Sequence, residues 1–217
     1  KLEDYYLDGT TMESVSGRYT YVWRTNVERY KKSLLDKIAL IVCQLDELCE
    51  RADESEEPKS GPSDRGELSD SEAVNKAIGR LNTALAAKEA EAESKEESKE
   101  LSKAKTKLNN LESKQLAKLK EYERQQEILG GRSSYSKTDE DATFMKTKDD
   151  HFKKAQAKPS YNVQVGTENH FVVNWTMHDT TSDSACFVPH MVDTKTTLES
   201  IGLSLPKSGT ADGAYGN

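Results

Sequence analysis

Two short stretches of the chain place a carboxylate and then a glycine after a strand-like run. Residues 5–7 lead to Asp8 and Gly9, and a run of small residues leads to Asp212 and Gly213. A glycine lets the backbone turn sharply and leaves open space beside the carboxylate. If the two strands are neighbours, their carboxylates can share Mg²⁺, which binds one or two carboxylates together with water and substrate phosphate. Two such ions about 4 Å apart would activate a water for attack on a phosphodiester.

Each Asp-Gly pair also has a plain structural interpretation, because the dipeptide is common in turns. Spacing alone therefore leaves open whether these residues bind a metal or only mark turns. The three cysteines and four histidines lack the spacing of metal ligands, and we expect each histidine to be a surface or partly buried residue. An odd number of cysteines gives no disulfide framework and indicates a reducing, cytoplasmic setting.

The apolar pattern predicts the elements that carry these residues. A strand is predicted over residues 4–9, with the glycine as its stop. From about residue 21 to residue 51, apolar side chains recur at steps of three and four, which predicts an amphipathic helix. A charged segment with two Pro and two Gly, residues 53–70, predicts a solvated acidic loop.

Two more helices are predicted after this loop. One begins near Asp70, and a long one covers residues 88–127, where ten basic and ten acidic side chains surround apolar positions near a heptad spacing. The long helix is expected to return against the first helix as an antiparallel coiled-coil hairpin and to end at Gly130. Its charge-balanced surface suits a spacer or a protein-contact arm better than DNA, so we expect a homodimer through the coiled coil.

The C-terminal part is predicted to contain strands again. Runs at 161–166 and 170–177 form a hairpin through Gly-Thr-Glu-Asn, a helix-compatible segment follows with Pro189 as its break or start, and a last strand reaches Asp212. The fold class is therefore α/β, with a globular part interrupted by a long helical insertion. The expected boundaries are 1–20 for the first strand and turn, 21–130 for the insertion and 131–217 for the remainder of the globular part.

Charge and hydropathy limit the classes of function. The 217 residues carry a net charge of −7, but residues 53–72 alone hold eight acidic and two basic side chains. The remainder is almost neutral, so the total does not exclude DNA as a partner. No run of about 18 apolar residues occurs, so no membrane span is expected. A start without Met or an apolar signal region is expected for the middle of a longer protein.

Three blocks of the sequence, in the same order, resemble the catalytic domain of bacterial insertion-sequence transposases of the DDE class. Residues 4–37 contain YYLDGTTMES and GRYTYVWRTNVERYKK, and residues 132–217 contain TDEDATFMKTKDDHFKKAQAKPSYNVQVGTENHFVV and TADGAYGN. The family has a Thr-Asp-x-Asp-Ala segment before a Lys-Pro-x-Tyr-Asn-x-Gln hairpin, and later an Ala-Asp-x-Gly-Tyr block. The three blocks together are specific, while the helical insertion is similar only in character.

The resemblance implies a partial ribonuclease-H-like domain and a transposase activity, with cleavage and strand transfer at transposon ends that depend on Mg²⁺ or Mn²⁺. It places the catalytic, metal-binding carboxylates on Asp8 and Asp212. It implies DNA as the partner, both transposon ends and target, and a nucleoid-associated location in a bacterial cytoplasm. Candidate neighbours of the site are Thr10, Asp139, Asp141 and Tyr215, although the two aspartates also suit capping or loop structure.

This chain departs from the family pattern at two points. Gly213 directly follows Asp212 and precedes Ala214 and Tyr215, so the glycine of the last block has moved. The family's third carboxylate, a Glu on a later helix, would lie beyond Asn217. We therefore expect the 217-residue chain to show no DNA cleavage on its own.

Basic residues interleaved with aromatic residues predict a DNA-binding surface, because cations neutralise phosphate and aromatic rings stack on exposed bases. The expected phosphate contacts are Arg18, Arg24, Arg29, Lys31, Lys153 and Lys154. Trp23 and Tyr30 suit stacking, but they equally suit packing at the base of the coiled coil.

Two other functions fit the same sequence. The chain could be a coiled-coil protein-interaction module whose α/β ends serve as a platform, or an inactive remnant of a decayed transposon. The paired Asp-Gly sites and the three matching blocks favour the transposase over a pure interaction module.

Overall fold

A computed structural model of the chain describes residues 2–17, 19–50, 68–91, 94–146 and 157–216. The chain divides into two compact units, an α/β unit made of Lys1–Arg24 with Ile128–Asn217, and a helical unit, Thr25–Glu127. Most of the expected acidic loop, residues 53–67, lies outside the described residues. Within the described ranges, none of the helices is both long and apolar enough to cross a membrane.

The α/β unit is built on a mixed sheet. Its strands, with the two that form a separate small sheet, are β1 (Asp4–Glu13), β2 (Tyr21–Trp23), β3 (Ser134–Ser136), β4 (Thr143–Lys146), β5 (Ala157–Glu168), β6 (Phe171–His178) and β7 (Ser208–Ala211). In the mixed sheet β1 is central, with β5 antiparallel on one side and β7 parallel on the other. Strands β4 and β6 pair with different parts of β5, both antiparallel. The small sheet pairs β2 with β3, so Tyr21–Trp23 form a strand where the sequence predicted the start of a helix.

The first strand is longer than the sequence predicted. We expected it to stop at Gly9, but β1 continues to Glu13 because β5 offers it pairing partners from Gly9↔Gln164 to Glu13↔Ser160. Asp8 therefore lies in the middle of a strand and not at its end. The strand that does end beside it is β7, whose last pair is Leu7↔Ala211.

The β5–β6 turn also differs from the prediction. It is formed by Asn169 and His170, with φ of 48° and 66°, so Asn169 is the one residue of the predicted Gly-Thr-Glu-Asn turn that lies in it, and residues 166–168 belong to β5. Two consecutive residues with positive φ give a two-residue turn whose twist suits the flanking strands. Gly166 stays within β5, where a Cβ would lie 1.6 Å from the Tyr5 hydroxyl oxygen. A glycine read as a turn signal is thus required by close packing inside the strand.

Helix α5 (Asp183–Ser200) follows β6 and precedes β7 in the chain. Pro189 lies inside this helix and does not interrupt it. A stripe at every fourth residue is buried, formed by Cys186, His190, Thr194 and Leu198. The buried Tyr5 hydroxyl hydrogen-bonds to His190 Nε2 at 2.7 Å and to Thr194 Oγ1 at 3.2 Å. His190 is fully buried, whereas we expected at most partial burial, because it anchors α5 to β1.

The helical unit contains α1 (Arg24–Glu50), α2 (Ser71–Glu91), α3 (Lys95–Asn110), a π-helical turn (Leu111–Leu116) and α4 (Ala117–Leu129), with Arg24 itself in the α/β unit. All of these helices contribute side chains to one apolar core. Because α3, the π-helical turn and α4 follow one another without a gap, the unit has three helical segments, α1, α2 and residues 95–129, as the sequence predicted. The expected long helix is interrupted before Lys95. There the Ser94 hydroxyl accepts from the Glu97 amide at 3.1 Å, and the Glu97 carboxylate accepts from the Ser94 amide. Coiled-coil packing within the bundle stays a prediction.

Candidate functional site

The parallel pairing of β1 and β7 brings Asp8 and Asp212 to neighbouring positions. Leu7 pairs with Ala211, and an aspartate directly follows each of them, Asp8 within β1 and Asp212 one residue past the end of β7. Adjacent strands lie about 4.8 Å apart, so side chains at such positions are within reach of a common ligand. Both aspartates are exposed. Two exposed oxygen-donor residues thus follow the last residue pair of β1 and β7.

Asp8 faces away from α5. Residues alternate along β1: Tyr5, Leu7 and Gly9 are buried, while Tyr6, Asp8 and Thr10 are exposed. One Asp8 oxygen accepts a hydrogen bond from the Gly9 amide at 2.8 Å. Thr10 lies on the same face, two residues along the strand. Of the candidate neighbours, Thr10 therefore shares a face with Asp8.

Asp212 begins a short 3₁₀ turn, Gly213–Tyr215. The Tyr215 amide donates to the Asp212 carbonyl at 3.1 Å, while the Asp212 side chain makes no capping hydrogen bond to the turn. Asp212 and Gly213 are exposed, whereas Tyr215 is partly buried. The turn therefore directs Tyr215 inward and leaves the Asp212 carboxylate on the outside.

A polar network lies on the α5 side of β1, directly beneath Gly9. Asp183, the first residue of α5, accepts hydrogen bonds from Asn162 Nδ2 at 2.8 Å and from Gln164 Nε2 at 3.2 Å. Gln164 Nε2 also donates to Asn162 Oδ1 at 2.8 Å, and Gln164 Oε1 accepts from the Tyr215 hydroxyl. Sequence reasoning missed Asp183, Gln164 and Asn162. Gln164 and Asn162 stand in the hairpin block quoted above, and that block was the one signal pointing to them.

Tyr215 keeps its proton in this environment. Burial raises the pKa of its hydroxyl well above the ordinary value, and so do the carboxylates of Asp183, Asp8 and Asp212. The neutral hydroxyl is the donor that the Gln164 carbonyl oxygen requires. Tyr215 is thus close enough to the carboxylates of Asp183, Asp8 and Asp212 for their charges to act on its hydroxyl.

A cavity of about 440 Å³ opens beside the network. Its lining includes Gly9, Thr11, Asn162 and Asp183, together with apolar residues of β4. Positions 9 and 11 of β1 alternate with Asp8, so the cavity lies on the opposite face of β1 from Asp8. The cavity therefore adjoins the hydrogen-bond network of Asp183, Asn162 and Gln164 and not the carboxylates of Asp8 and Asp212.

Asp139 has a structural role at the far end of β1. It accepts hydrogen bonds from the Ser14 hydroxyl and from the Tyr161 hydroxyl, the latter at 2.7 Å. Partial burial raises its pKa, but these bonds to the charged form outweigh burial and lower it overall. Ser14 lies six residues beyond Asp8, roughly 20 Å along a strand. The structure therefore places Asp139 far from Asp8 and Asp212.

The other candidate neighbour, Asp141, is exposed. Its backbone carbonyl accepts a hydrogen bond from the Arg132 guanidinium at 2.9 Å.

The basic candidates of the α/β unit are engaged or lie outside the described residues. The Arg24 guanidinium donates to the Arg132 carbonyl, at 2.9 Å from Nε, and to the Gly130 carbonyl. It thereby ties the start of α1 to the segment after α4, within this unit. Trp23 packs against Phe144, with ring centroids 5.9 Å apart, so packing accounts for this aromatic residue. The residues outside the described ranges are Arg18, Lys153 and Lys154.

The basic candidates of the helical unit differ in exposure. Arg29 is exposed and stacks over the Tyr30 ring at 5.0 Å. Lys31 donates to Gln126 Oε1 at 2.9 Å and lies 3.7 Å from the Glu123 carboxylate. Tyr30 stacks on Tyr122 of α4. Lys31 and Tyr30 therefore take part in packing α1 against α4, while the Arg29 side chain is presented to solvent.

Within the part of the chain that the structure describes, no three His, Cys, Asp or Glu side chains converge into a group that could hold a metal ion. Asp8 and Asp212 each follow a member of the Leu7–Ala211 pair, and Asp183 lies on the other face of β1. Comparison of the chain with family models, curated proteins and solved structures found no match. The sequence blocks and the geometry of the α/β unit are thus what connects this chain to a function.

Proposed function

We propose that this chain is part of the catalytic core of a DDE-class transposase, in which Asp8 and Asp212 hold Mg²⁺ or Mn²⁺ at the phosphodiester to be cleaved. The observation that carries this proposal is the parallel register of β1 and β7, which sets the two aspartates side by side. The two residues were singled out from motifs about 200 positions apart. A shared ion requires the two aspartates to lie at neighbouring positions, whereas two unrelated turns have no such requirement.

The sheet supports the proposal. In open sheets, ligands bind outside the carboxyl ends of parallel strands, at the point where the strand order changes direction. Here β1 has an antiparallel neighbour on one side and the parallel strand β7 on the other. Asp212 directly follows the carboxyl end of β7, and Asp8 lies within β1 beside that end. A central first strand next to a parallel last strand also agrees with the ribonuclease-H-like fold that the resemblance implies.

The donor set fits a hard cation. Mg²⁺ takes one or two carboxylates and completes its octahedron with water and phosphate oxygens, so two exposed aspartates beside open solvent suit it. When bound, such an ion polarises a phosphate oxygen and activates a water. The chain's own contribution is to fix the two carboxylates on the sheet, with the Gly9 amide holding one Asp8 oxygen.

DNA is the proposed partner. Among the predicted phosphate contacts that the structure describes, the exposed Arg29 is our candidate for binding DNA phosphates. A homodimer through the helical unit is proposed as well. Lys31 is tied to α4, so we assign it to the bundle and not to DNA.

Metal-assisted DNA binding tests the proposal. The affinity of the 217-residue chain for a labelled DNA duplex is measured by fluorescence anisotropy, with and without Mn²⁺. We expect Mn²⁺ to tighten binding by about tenfold, because an ion held by Asp8 and Asp212 would attract a DNA phosphate. Asp8→Asn and Asp212→Asn should abolish this gain.

Asp4→Asn is the matched control, since Asp4 is an exposed β1 carboxylate that also lies beside β7, where it accepts from the Ser208 hydroxyl. It should leave the gain from Mn²⁺ unchanged. A gain that survives both Asp8→Asn and Asp212→Asn, or no gain in the wild type, would contradict the proposed function.

A further inference from the structure

We propose that Gln164, Tyr215 and Asp183 are positioning residues that set Asp212 against Asp8, an inference that rests on the proposed function. They lie on the opposite face of β1 from Asp8, so they act through the backbone and not by contact with the metal. One network contacts both the turn that starts at Asp212 and the residue that follows Asp8.

Gln164 is the centre of the network. Its side chain is fully buried, and a buried amide requires partners for its oxygen and its two N–H groups. Nε2 donates to Asn162 and Asp183, and Oε1 accepts from Tyr215. A flipped amide would turn its oxygen toward the Asp183 carboxylate and leave the Tyr215 hydroxyl without an acceptor. The orientation of the amide is therefore determined by its surroundings.

Tyr215 anchors the turn that carries Asp212. It is the partly buried member of a turn whose other residues are exposed, and its ring also contacts Phe187 of α5, with centroids 6.0 Å apart. The turn is three residues long and is closed by the Tyr215 amide on the Asp212 carbonyl. Fixing the Tyr215 side chain therefore limits the movement of the Asp212 backbone.

The same network packs on Gly9. A Cβ at this position would lie 2.8 Å from Asp183 Oδ1 and from Gln164 Nε2, and 3.1 Å from the Tyr215 hydroxyl oxygen. Gly9 in turn donates its amide to Asp8 Oδ1. The glycine after Asp8 thus serves close packing of the network and not a turn, which explains why β1 passes through it without bending away.

Precise placement matters for a two-carboxylate metal site, since a displacement of about 1 Å can remove most of its benefit. Groups that orient metal ligands without touching the metal commonly change metal affinity by about 10–100-fold when they are removed. The network is placed to have such an effect, because it fixes the backbone of both ligand-bearing segments.

The test measures Mn²⁺ affinity of the full 217-residue chain by electron paramagnetic resonance of the free ion, with thermal unfolding recorded for each variant. Tyr215→Phe should weaken Mn²⁺ binding by about tenfold. Tyr161→Phe is the matched control, because it also removes one tyrosine hydroxyl that donates to a side-chain oxygen, here Asp139 at 2.7 Å, but at the far end of β1. It should lower the unfolding temperature comparably and leave Mn²⁺ affinity within about twofold of the wild type.

Asp183 separates positioning from direct ligation. Asp183→Asn keeps an acceptor oxygen for Asn162 and Gln164, so it should retain Mn²⁺ affinity, whereas Asp183→Ala should lose about tenfold. Equal losses in the two variants, or unchanged affinity in Tyr215→Phe, would overturn the positioning role while leaving the metal site in place. If the wild type shows no Mn²⁺ binding that depends on Asp8, the proposed function fails first, and the positioning role fails with it.

Discussion

Gly9 is the residue at which the candidate site tolerates the least change. Three polar groups, from Asp183, Gln164 and Tyr215, lie where its side chain would be. The neighbouring Asp8 is exposed and points to the opposite face. A methyl group at position 9 would therefore disturb the support of the site without touching the carboxylates themselves.

Gly9→Ala should destabilise the protein by about 1–3 kcal/mol, because overpacking forces buried polar side chains out of their hydrogen bonds. The measurement is urea unfolding followed by circular dichroism. Gly209→Ala in β7 is the control, since a Cβ there meets no atom within 4 Å. Equal stability of the two variants would contradict the packing described around Gly9.

His190 is a second residue whose environment has a measurable consequence. Burial lowers the pKa of its imidazole, and the nearby His178 lowers it further while Asp193 opposes the shift. Nδ1 hydrogen-bonds to Thr176 and Nε2 to Tyr5, and hydroxyl groups can serve either ring tautomer. The folded protein therefore holds the ring neutral.

Stability should fall on acidification because of His190. Below about pH 6.5 the His190 imidazole is protonated in the unfolded chain but stays neutral in the folded protein. The free energy of unfolding therefore decreases as the pH falls, with a slope approaching about 1.4 kcal/mol per pH unit. Urea unfolding at pH 7.5 and pH 5.5 checks this expectation. The loss should be smaller in His190→Gln and unchanged in His170→Asn, a control in the exposed turn. An unchanged loss in His190→Gln would assign the pH dependence to other groups.

At the scale of elements, local signals decide where helices begin and how they pack. Of the apolar positions that recur at steps of three and four, Ile38, Leu45, Ile78 and Leu108 are buried in the helical unit, whereas Tyr30 is exposed. The break before α3 follows from the reciprocal hydrogen bonds of Ser94 and Glu97, which satisfy amides that a helix start leaves unpaired.

Ser94→Ala should lower the stability of the helical unit by about 1 kcal/mol, because the Glu97 amide would lose its acceptor. The measurement is thermal or urea unfolding of the whole chain. Ser98→Ala, an exposed substitution one turn into the same helix, is the control and should change stability little. A larger effect at Ser98 than at Ser94 would be inconsistent with the cap.

At the scale of the whole molecule, what the sequence could predict was local. Periodicity located the helices, and the Asp-Gly motifs located the two carboxylates that the sheet sets side by side. The length of β1 could not be predicted, because it depends on pairing with β5, a strand about 150 residues later. Asp183 was missed for the same reason, since at the start of a helix it looks like an ordinary N-terminal acidic residue. Pro189 lies inside α5 against the local rule, because the buried stripe around His190 holds that helix to the sheet.

The central claim is that Asp8 and Asp212 hold the same ion, and a double-mutant cycle on Mn²⁺ affinity tests it most directly. Calorimetric titration of the wild type, Asp8→Asn, Asp212→Asn and the double variant gives the coupling between the two residues. We predict that each single variant loses at least about tenfold in affinity, that the double variant loses little more, and that the coupling is about 1–3 kcal/mol. Losses that simply add, or single variants that bind Mn²⁺ like the wild type, would contradict a shared metal site.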